Sequence, residues 1–367
     1  MQFSGSSPIL MTRFKINRKK TKNVFVDYVQ LLCIFPRYLE KNTIMNRKLI
    51  SLIPALLFAF GQIGLTQTSA GEAPEVGFKL QPTGLQISIG GAPFASYFTP
   101  TKRIPRPYFA NVKTPSGIQV TRNHPPIEGK DSMDHDTYHP GIWMTYAGIN
   151  GNDYWRLKKR VEHERYLGKP EGGAGKGSFT VSNFFLDSED SSGRRIAQEI
   201  TKYTIVARGD YTLLISETEI FSDASDIVFG DDQEYGLGIR VQTMIEERYN
   251  GQIVNAEGRK GEEGTYGRST PWCDYSGVLD GKFIGINVMT DPLNFRPSWF
   301  HSRDYGLIAA NPFGREKVGG GTESNLLVKK GEKLALGFGL AIYSGDSEAN
   351  IDRDAMYQDY LSVIRGE

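Results

Sequence analysis

The sequence predicts an all-β protein, a large antiparallel β-sandwich with one helix near the carboxyl terminus. Short segments with alternating apolar and polar residues recur after residue 80, and this alternation is typical of half-buried strands. The chain contains 41 glycines among its 367 residues, which suits many tight turns. Aromatic residues make up 11% of the chain, and aromatic side chains are enriched in strands. Together these observations favour sequential strands joined by short turns.

The strand candidates follow one another along the chain. Residues 85–98 predict a hairpin around Gly90-Gly91, because alternating segments lie on both sides of a glycine pair. Residues 196–221 predict a longer hairpin that turns at Gly209. Further strands are expected at residues 117–121, 142–146, 178–185, 235–244, 283–289, 325–328 and 333–343.

A single helix is predicted near the carboxyl terminus. Residues 347–365 place apolar side chains at near-helical spacing after a group of capping residues. Two glycine-rich and charged segments, 168–177 and 258–267, are predicted to be loops. Neither segment lies between a strand and a helix, so neither predicts a phosphate-binding motif.

A secretory signal peptide is expected at residues 45–70. It combines a basic start after Met45, an apolar run and a small-residue cleavage site that ends at Ala70. A signal so far along the chain indicates that translation starts at Met45 and that residues 1–44 are a mis-assigned extension. Residues 71–367 would then be one β-sandwich domain, periplasmic or secreted and free of the membrane after cleavage. A membrane-spanning anchor is the alternative.

Charge and cysteine content narrow the function classes. Residues 1–70 hold ten of the 43 basic and two of the 42 acidic residues, so residues 71–367 keep 33 basic and 40 acidic residues and a formal charge of −7. An acidic protein lacks the electrostatic footprint of a nucleic-acid partner. Cys33 lies in the expected extension, which leaves Cys273 alone and predicts no disulfide.

The densest group of proton-transfer side chains lies in one loop. Three of the five histidines fall between residues 124 and 139, and we expect His135 and His139 to be catalytic. Trp143 follows closely and is a candidate for stacking on a substrate. A divalent metal held by His135, His139 and His163 is the alternative. No cofactor is the preferred expectation, because an oxygen-rich substrate needs hydrogen-bond donors and acceptors more than a Lewis acid.

The segment that contains Trp272 and Asp274 predicts a second part of the site. The face of Trp272 could stack on the C–H face of a sugar ring, and Asp274 could accept hydrogen bonds from hydroxyls or take a proton. A core tryptophan followed by a structural acid is the alternative interpretation.

Two further segments carry polar side chains suited to binding. His301, Arg303 and Asp304 lie together after an aromatic pair, which predicts a catalytic histidine beside two substrate-binding residues. A structural ion pair is the alternative for Arg303 and Asp304. Arg106 and Arg122 are expected to bind substrate through their planar guanidinium groups, although Arg106 could instead hold backbone carbonyls.

Seven motifs occur in order and carry a resemblance to a known family. They are Arg106-Pro107-Tyr108-Phe109, Thr114-Pro115-Ser116-Gly117, Val120-Thr121-Arg122, Asp134-His135 to Gly141-Ile142-Trp143, Asn150-Gly151-Asn152-Asp153-Tyr154-Trp155, Trp272-Cys273-Asp274-Tyr275-Ser276-Gly277 and Ala309-Ala310-Asn311-Pro312-Phe313-Gly314. Over about residues 80–345 the chain resembles a bacterial family of unknown function that carries the label "methane oxygenase PmoA".

The resemblance implies a fold and a setting rather than a reaction. Similar proteins are commonly exported and come from bacteria that degrade polysaccharides. The label conflicts with the sequence, because a subunit of a membrane methane oxygenase needs several long apolar spans. Similar chains often have two adjacent histidines and an arginine in the loop, where this chain has Thr137-Tyr138-His139-Pro140. That departure weakens the case for a metal site and leaves His135 and His139 as the catalytic candidates.

The sequence therefore predicts an exported carbohydrate-active protein. We expect an enzyme that acts on a sugar or glycan by acid–base chemistry between histidine and carboxylate, on a sandwich analogous to that of sugar mutarotases. A mutarotase-, lyase- or hydrolase-like reaction would fit. A glycan-binding module without activity and a metal-dependent hydrolase or oxygenase are the alternatives. The oligomeric state stays open.

Overall fold

The computed structural model describes residues 73–367, and its strands form two large antiparallel sheets. The strands are β1 (Glu75–Gln81), β2 (Gly84–Ile89), β3 (Ala92–Phe98), β4 (Tyr108–Ala110), β5 (Ile142–Tyr146), β6 (Val161–Tyr166), β7 (Gly173–Ala174), β8 (Lys176–Leu186), β9 (Arg195–Ala207), β10 (Tyr211–Phe221), β11 (Ile227–Phe229), β12 (Tyr235–Arg240), β13 (Gly251–Asn255), β14 (Trp272–Leu279), β15 (Lys282–Thr290), β16 (Trp299–Arg303), β17 (Leu307–Asn311), β18 (Leu326–Val328) and β19 (Lys333–Gly345). The helices are α1 (Gly261–Thr265) and α2 (Arg353–Arg365).

The first sheet has nine strands in the order β16-β17-β12-β5-β4-β3-β2-β1-β7. The second sheet has eight strands in the order β13-β14-β15-β19-β10-β9-β8-β6, and β11 pairs with β18 in a small third sheet. The strand pairs of both large sheets are antiparallel, and the predicted hairpins are confirmed as β2–β3 and β9–β10. The predicted all-β sandwich is therefore confirmed.

The central core lies between the two large sheets. On β5, Ile142, Met144 and Tyr146 alternate toward this core, and Trp143 faces the opposite side. Every residue of β5 is nevertheless buried. The outer face of the nine-stranded sheet carries its own cluster of buried rings and aliphatic side chains, and His139, in the segment that leads into β5, stacks on Trp143 there. This covered outer face holds the histidine loop.

The predicted carboxyl-terminal helix is confirmed, although it begins later than expected. Asp352 caps α2 by accepting a hydrogen bond from the backbone N–H of Ala355 at 2.9 Å, and residues 348–350 form a separate 3₁₀ turn. The buried residues Met356 and Tyr360 of α2 pack on the outer face of the eight-stranded sheet. Gly366 ends the helix with φ at 73°, a left-handed conformation that glycine adopts at low cost.

Several local predictions differ from the structure. Residues 117–121 form isolated bridges at Gln119 and Thr121 instead of a strand. The segment 258–267, predicted to be a loop, contains α1. The sequence did not predict β6, because a strand at the sheet edge can carry consecutive polar residues such as those at 162–165.

The described part of the chain belongs to one unit, Glu72–Glu367, by its internal contacts. The expected signal peptide at residues 45–70 and the expected extension at 1–44 lie outside the described residues. Within residues 73–367, helices are too short or too polar to span a bilayer.

Candidate functional site

The histidine loop is folded around the buried guanidinium of Arg122. Its Nη1 donates to the carbonyls of Ser132 at 2.8 Å and Asp134 at 2.6 Å. Its Nη2 donates to the carbonyls of His135 at 3.2 Å and His139 at 3.0 Å. Burial, with the nearby charge of Arg240, lowers the pKa of Arg122 to about 10. Arg122 therefore fixes the backbone that carries both histidines: its hydrogen bonds are to main-chain carbonyls, and it also lies 3.9 Å from the Asp134 carboxylate.

Asp134 and His135 form a carboxylate–imidazole pair. Arg240 donates two hydrogen bonds to the Asp134 carboxylate, at 2.8 and 2.9 Å, and His135 Nδ1 lies 2.9 Å from Asp134 Oδ2. Burial alone would raise the pKa of Asp134, but the hydrogen bonds from His135 and Arg240 hold it well below its usual range. Because an ionised carboxylate only accepts, Nδ1 carries a proton, and in a neutral imidazole ring the lone pair is then on Nε2.

His135 also has an unusual backbone conformation. Its φ is +50°, a left-handed value that is uncommon outside glycine, asparagine and aspartate. Its side chain is 45% exposed, so His135 belongs to the accessible part of the site. Strained residues held by their surroundings are a recognised feature of functional sites.

The rings of His135, His139, Trp143 and Tyr305 stack nearly parallel to one another. The centroid of His139 lies 4.7 Å from that of His135 and 5.0 Å from that of Trp143, and Tyr305 lies 5.8 Å from His135. His139 is buried, and its burial together with the charge of Arg240 holds its pKa well below its usual range. His139 is therefore a neutral, enclosed ring, whereas His135 is accessible.

Arg106 fastens the other end of the loop. Its guanidinium donates to the carbonyls of Tyr138, Tyr154 and Trp155, and it lies 5.2 Å from the ring centroid of Trp143. Burial lowers its pKa to about 9. Arg106 and Arg122, two of the three arginines that we expected to bind substrate, thus hold backbone carbonyls, which is the alternative that the sequence left open for Arg106.

An acidic group that the sequence interpretation missed lies beside the histidines. Glu234, just before β12, pairs with Arg156 at 2.8 Å, and Arg156 also pairs with Asp153 and Asp232, each at 3.1 Å. Burial raises the pKa of Glu234 against the opposing charge of Arg156, and His135 is close enough to act on it. In the sequence, three acidic residues between positions 231 and 234, immediately before a predicted strand, could have indicated this group.

The third expected segment also reaches this face. His301 lies on β16, its Nδ1–H donates to the carbonyl of Gln233 at 3.1 Å, and burial with the charge of Arg303 lowers its pKa to about 4. Arg303 pairs with Glu262 at 2.8 Å, and Asp304 is exposed beside it. Both residues precede Tyr305, whose ring stacks on His135.

Asp274 and Trp272 are not brought together with the histidines. They lie on the outer face of the other sheet, beneath α2. Arg353 lies 2.9 Å from the Asp274 carboxylate, which also accepts a hydrogen bond from Tyr343 at 2.8 Å. Trp272 donates to Asp354 at 2.8 Å. These contacts fit the alternative of a core tryptophan and a structural acid, so the expected convergence of Asp274 with His135 is not found.

The three histidines of the metal alternative are also separate. His163 lies on β6 of the eight-stranded sheet and contacts Asn183 at 3.1 Å, while His135 and His139 stack face to face. Among residues 73–367, no group of three or more histidine, cysteine, aspartate or glutamate side chains has the arrangement of a metal site. Cys273 is a free, buried thiol in the described region, as predicted for a small core residue.

Comparisons with known proteins give a family but no activity. No curated protein matches the chain. Among solved structures it is similar to a protein titled "Putative kojibiose phosphorylase from human microbiome", with 8% identity and a TM-score of 0.28. That alignment covers 80% of this chain and 36% of the other, so the chain spans about a third of that protein's length. A TM-score this low carries no argument about function.

The family comparison covers most of the described residues. A family described as "Family of unknown function (DUF6807)" matches residues 84–355. This agrees with the expected resemblance to a family of unknown function, although the description does not mention a methane oxygenase. The chain belongs to DUF6807.

Proposed function

We propose that the protein is an exported carbohydrate-active enzyme in which His135 transfers protons. The proposal rests chiefly on the geometry of the Asp134–His135 pair. Arg240 fixes the carboxylate, the carboxylate fixes Nδ1 of the imidazole, and Nε2 remains free on an exposed side chain. A histidine oriented in this way by a carboxylate is suited to act as a general base or acid.

The second proton-transfer group in this proposal is Glu234, in place of Asp274. Burial raises its pKa against the opposing charge of Arg156, and a raised pKa favours the protonated carboxyl group that a proton donor needs. Glu234 directly precedes β12, and β12 pairs with β5, the strand that carries Trp143. Partly exposed Tyr266 and Tyr305 flank Arg303 and offer aromatic faces of the kind that stack on sugars.

Anomer conversion illustrates how the protons balance. His135 Nε2 takes the proton of the anomeric hydroxyl while Glu234 gives a proton to the ring oxygen. The bond between the anomeric carbon and the ring oxygen breaks, and an open-chain aldehyde results. Closure of the ring on the opposite face returns the two protons in reverse. In an elimination from a sugar, His135 would take a proton from the carbon next to the one that carries the leaving group, a carbon–carbon double bond would form, and Glu234 would protonate the leaving oxygen as its bond to carbon breaks.

The test compares turnover of a panel of free sugars and glycosides by the wild type and two histidine variants. His135→Asn keeps a residue that tolerates the left-handed backbone, and we expect it to lower kcat by about 10²–10⁴-fold. His163→Asn, on the other sheet, is the matched control and should keep full activity. Full turnover by a folded His135→Asn variant would overturn the proposal. Calorimetric binding of glycans with no turnover of any panel member would instead establish the glycan-binding alternative.

A further inference from the structure

Glu246 is a carboxylate buried behind the proton-transfer pair of the histidine loop. Its side chain has no exposed surface, and it directly follows the 3₁₀ turn at residues 243–245. Its Oε1 accepts a hydrogen bond from Arg240 Nη2 at 3.1 Å. Its Oε2 accepts from Arg248 Nε at 2.6 Å and from Ser132 Oγ at 3.0 Å. Two guanidiniums and a hydroxyl therefore donate to this one carboxylate.

The carboxylate of Asp134 is surrounded by three guanidiniums. Arg240 donates to both of its oxygens, at 2.8 and 2.9 Å, and His135 Nδ1 lies 2.9 Å from Oδ2. Arg248 and Arg122 lie 3.8 and 3.9 Å from Oδ1, which is too far for a hydrogen bond. The hydrogen bond between Asp134 and His135 therefore depends on which guanidiniums reach this carboxylate.

Arg122 and Arg248 are kept away from Asp134 in different ways. Arg122 is buried and gives its hydrogen bonds to carbonyls of the histidine loop. The side chain of Arg248 is 38% exposed and is held by Glu246 Oε2 and by Ser132 Oγ, to which its Nη2 donates at 2.7 Å. Because hydrogen bonds between charged groups are roughly twice as strong as neutral ones, Glu246 is the main restraint on Arg248.

We propose that Glu246 is a positioning residue that holds Arg248 away from Asp134 and so keeps the Asp134 carboxylate on His135. Without Glu246, Arg248 has Asp134 Oδ1 as an opposite charge only 3.8 Å away. A guanidinium that moved onto Oδ1 would compete with Arg240 and draw the carboxylate from the Nδ1–H of His135. The imidazole would then no longer be fixed in one tautomer. The consequence for turnover rests on the proposed function.

The charges of this group support the role of Glu246. Ion pairs within 4 Å join the guanidiniums of Arg122, Arg240 and Arg248 to the carboxylates of Asp134 and Glu246. Loss of the charge on Glu246 would leave three guanidiniums around one carboxylate. Glutamine at this position would also replace one accepting oxygen with an amide donor. Arg248, the exposed member that donates to Glu246, is then free to turn toward Asp134.

The test records nitrogen–proton spectra of the full protein with labelled histidine, at a pH where the His135 ring is neutral, together with turnover of the sugar panel. We expect the Nδ1–H tautomer in the wild type. Glu246→Gln should give a mixture of both tautomers and lower turnover by at least about tenfold. The double variant Glu246→Gln with Arg248→Gln lacks the competing guanidinium, so it should regain the single tautomer and most of the turnover.

Two further variants complete the test. Glu246→Asp keeps the charge on a shorter side chain and should change the His135 signal in the same direction but less, and Arg248→Gln should reverse that change too. This pair carries the test if Glu246→Gln does not fold. Asp274→Asn is the matched control, because it removes the charge of a buried carboxylate that pairs with an arginine on the other sheet. It should leave the His135 signal unchanged.

The outcomes separate the positioning role from the proposed function. Loss of a purely structural contact would not be repaired by removing a second side chain, so failure of Arg248→Gln to reverse the change overturns the positioning role. A wild-type His135 signal in the Glu246 variants, or an equal change in Asp274→Asn, overturns it as well. If the tautomers follow the expected pattern and no sugar is turned over, the positioning role stands and the proposed function fails.

Discussion

Glu199 is a carboxyl group buried between the two sheets, and its titration should make stability depend on pH. It lies on β9 with 4% of its surface exposed, and Asn183 Nδ2 donates to its Oε1 at 3.2 Å. Burial raises its pKa from the ordinary 4.5 to about 7, against the smaller effect of hydrogen bonds from Asn183 and Thr201. The protonated form is therefore the one that the folded protein favours.

The size of the effect follows from this shift. A difference of roughly 2.5 pKa units between the folded and unfolded states corresponds to about 3 kcal/mol. Because the folded-state pKa is the higher one, this contribution is complete below about pH 4.5 and is lost as the pH rises through about 7. Above that pH the folded protein must hold a charged carboxylate among core side chains, which is unfavourable.

Urea unfolding of the wild type and Glu199→Gln between pH 5 and pH 9 measures the effect. The free energy of unfolding of the variant, relative to the wild type at the same pH, should rise by about 3 kcal/mol across this range. Comparison at equal pH cancels the titration of all other groups. Glu217→Gln, at a half-exposed glutamate of β10 that lies near Lys202, is the matched control and should show no such rise. Parallel curves for wild type and Glu199→Gln would refute the reasoning.

Two other predictions concern the outer face. Gly238→Ala places a Cβ 2.6 Å from the Trp143 ring and should lower the free energy of unfolding by about 1–3 kcal/mol. Gly209→Ala is the control, because its Cβ meets no atom within 4 Å and should change the free energy of unfolding little. Equal effects of the two variants in urea unfolding would contradict this account. Asp134→Asn removes the charge that orients His135, so kcat should fall by about 10²–10⁴-fold with KM nearly unchanged. A loss that appears only in KM would assign Asp134 to substrate binding instead.

Features set by neighbouring residues were predictable from the sequence. The β2–β3 and β9–β10 hairpins combine alternating segments with a local turn, and both formed as expected. The carboxyl-terminal helix was also predicted, since its apolar spacing and its caps lie within the same short segment. The segment 117–121 has strand-like residues but pairs only through single bridges, Gln119 with Lys113 and Thr121 with Val241.

The position of Asp274 could not be predicted in the same way. On β14, Cys273 and Tyr275 face the central core and Trp272 faces α2. The sequence did not predict this strand. It does not show which sheet the strand joins. Pairing with β13 and β15 places β14 in the eight-stranded sheet, and α2 then covers the face that carries the acid. Such pairings depend on contacts between residues that are distant in the chain.

The partners of the histidine loop were missed for a related reason. Arg240 and Glu234 come from β12 and the residue before it, about a hundred positions after the loop, and β12 reaches the loop by pairing with β5. Glycines at 236 and 238 place no side chain between the two charged residues, and the Trp143 ring lies over Gly238. The sequence shows charged residues at both ends of β12, but it does not show that the histidine loop lies next to them.

The two histidines of one loop differ because their surroundings differ. His135 follows an aspartate whose carboxylate reaches its Nδ1, and its ring remains half-exposed. His139 lies one turn further along, between two rings, and the charged groups that act on its pKa are cations: Arg240, Arg106 and Arg122, with His135. Protonation of His139 would add a positive charge beside these buried arginines, so its ring stays neutral. The neutral ring lies between His135 and Trp143. The Asp134-His135 dipeptide, rather than the number of histidines, is therefore the feature of the loop that indicates proton transfer.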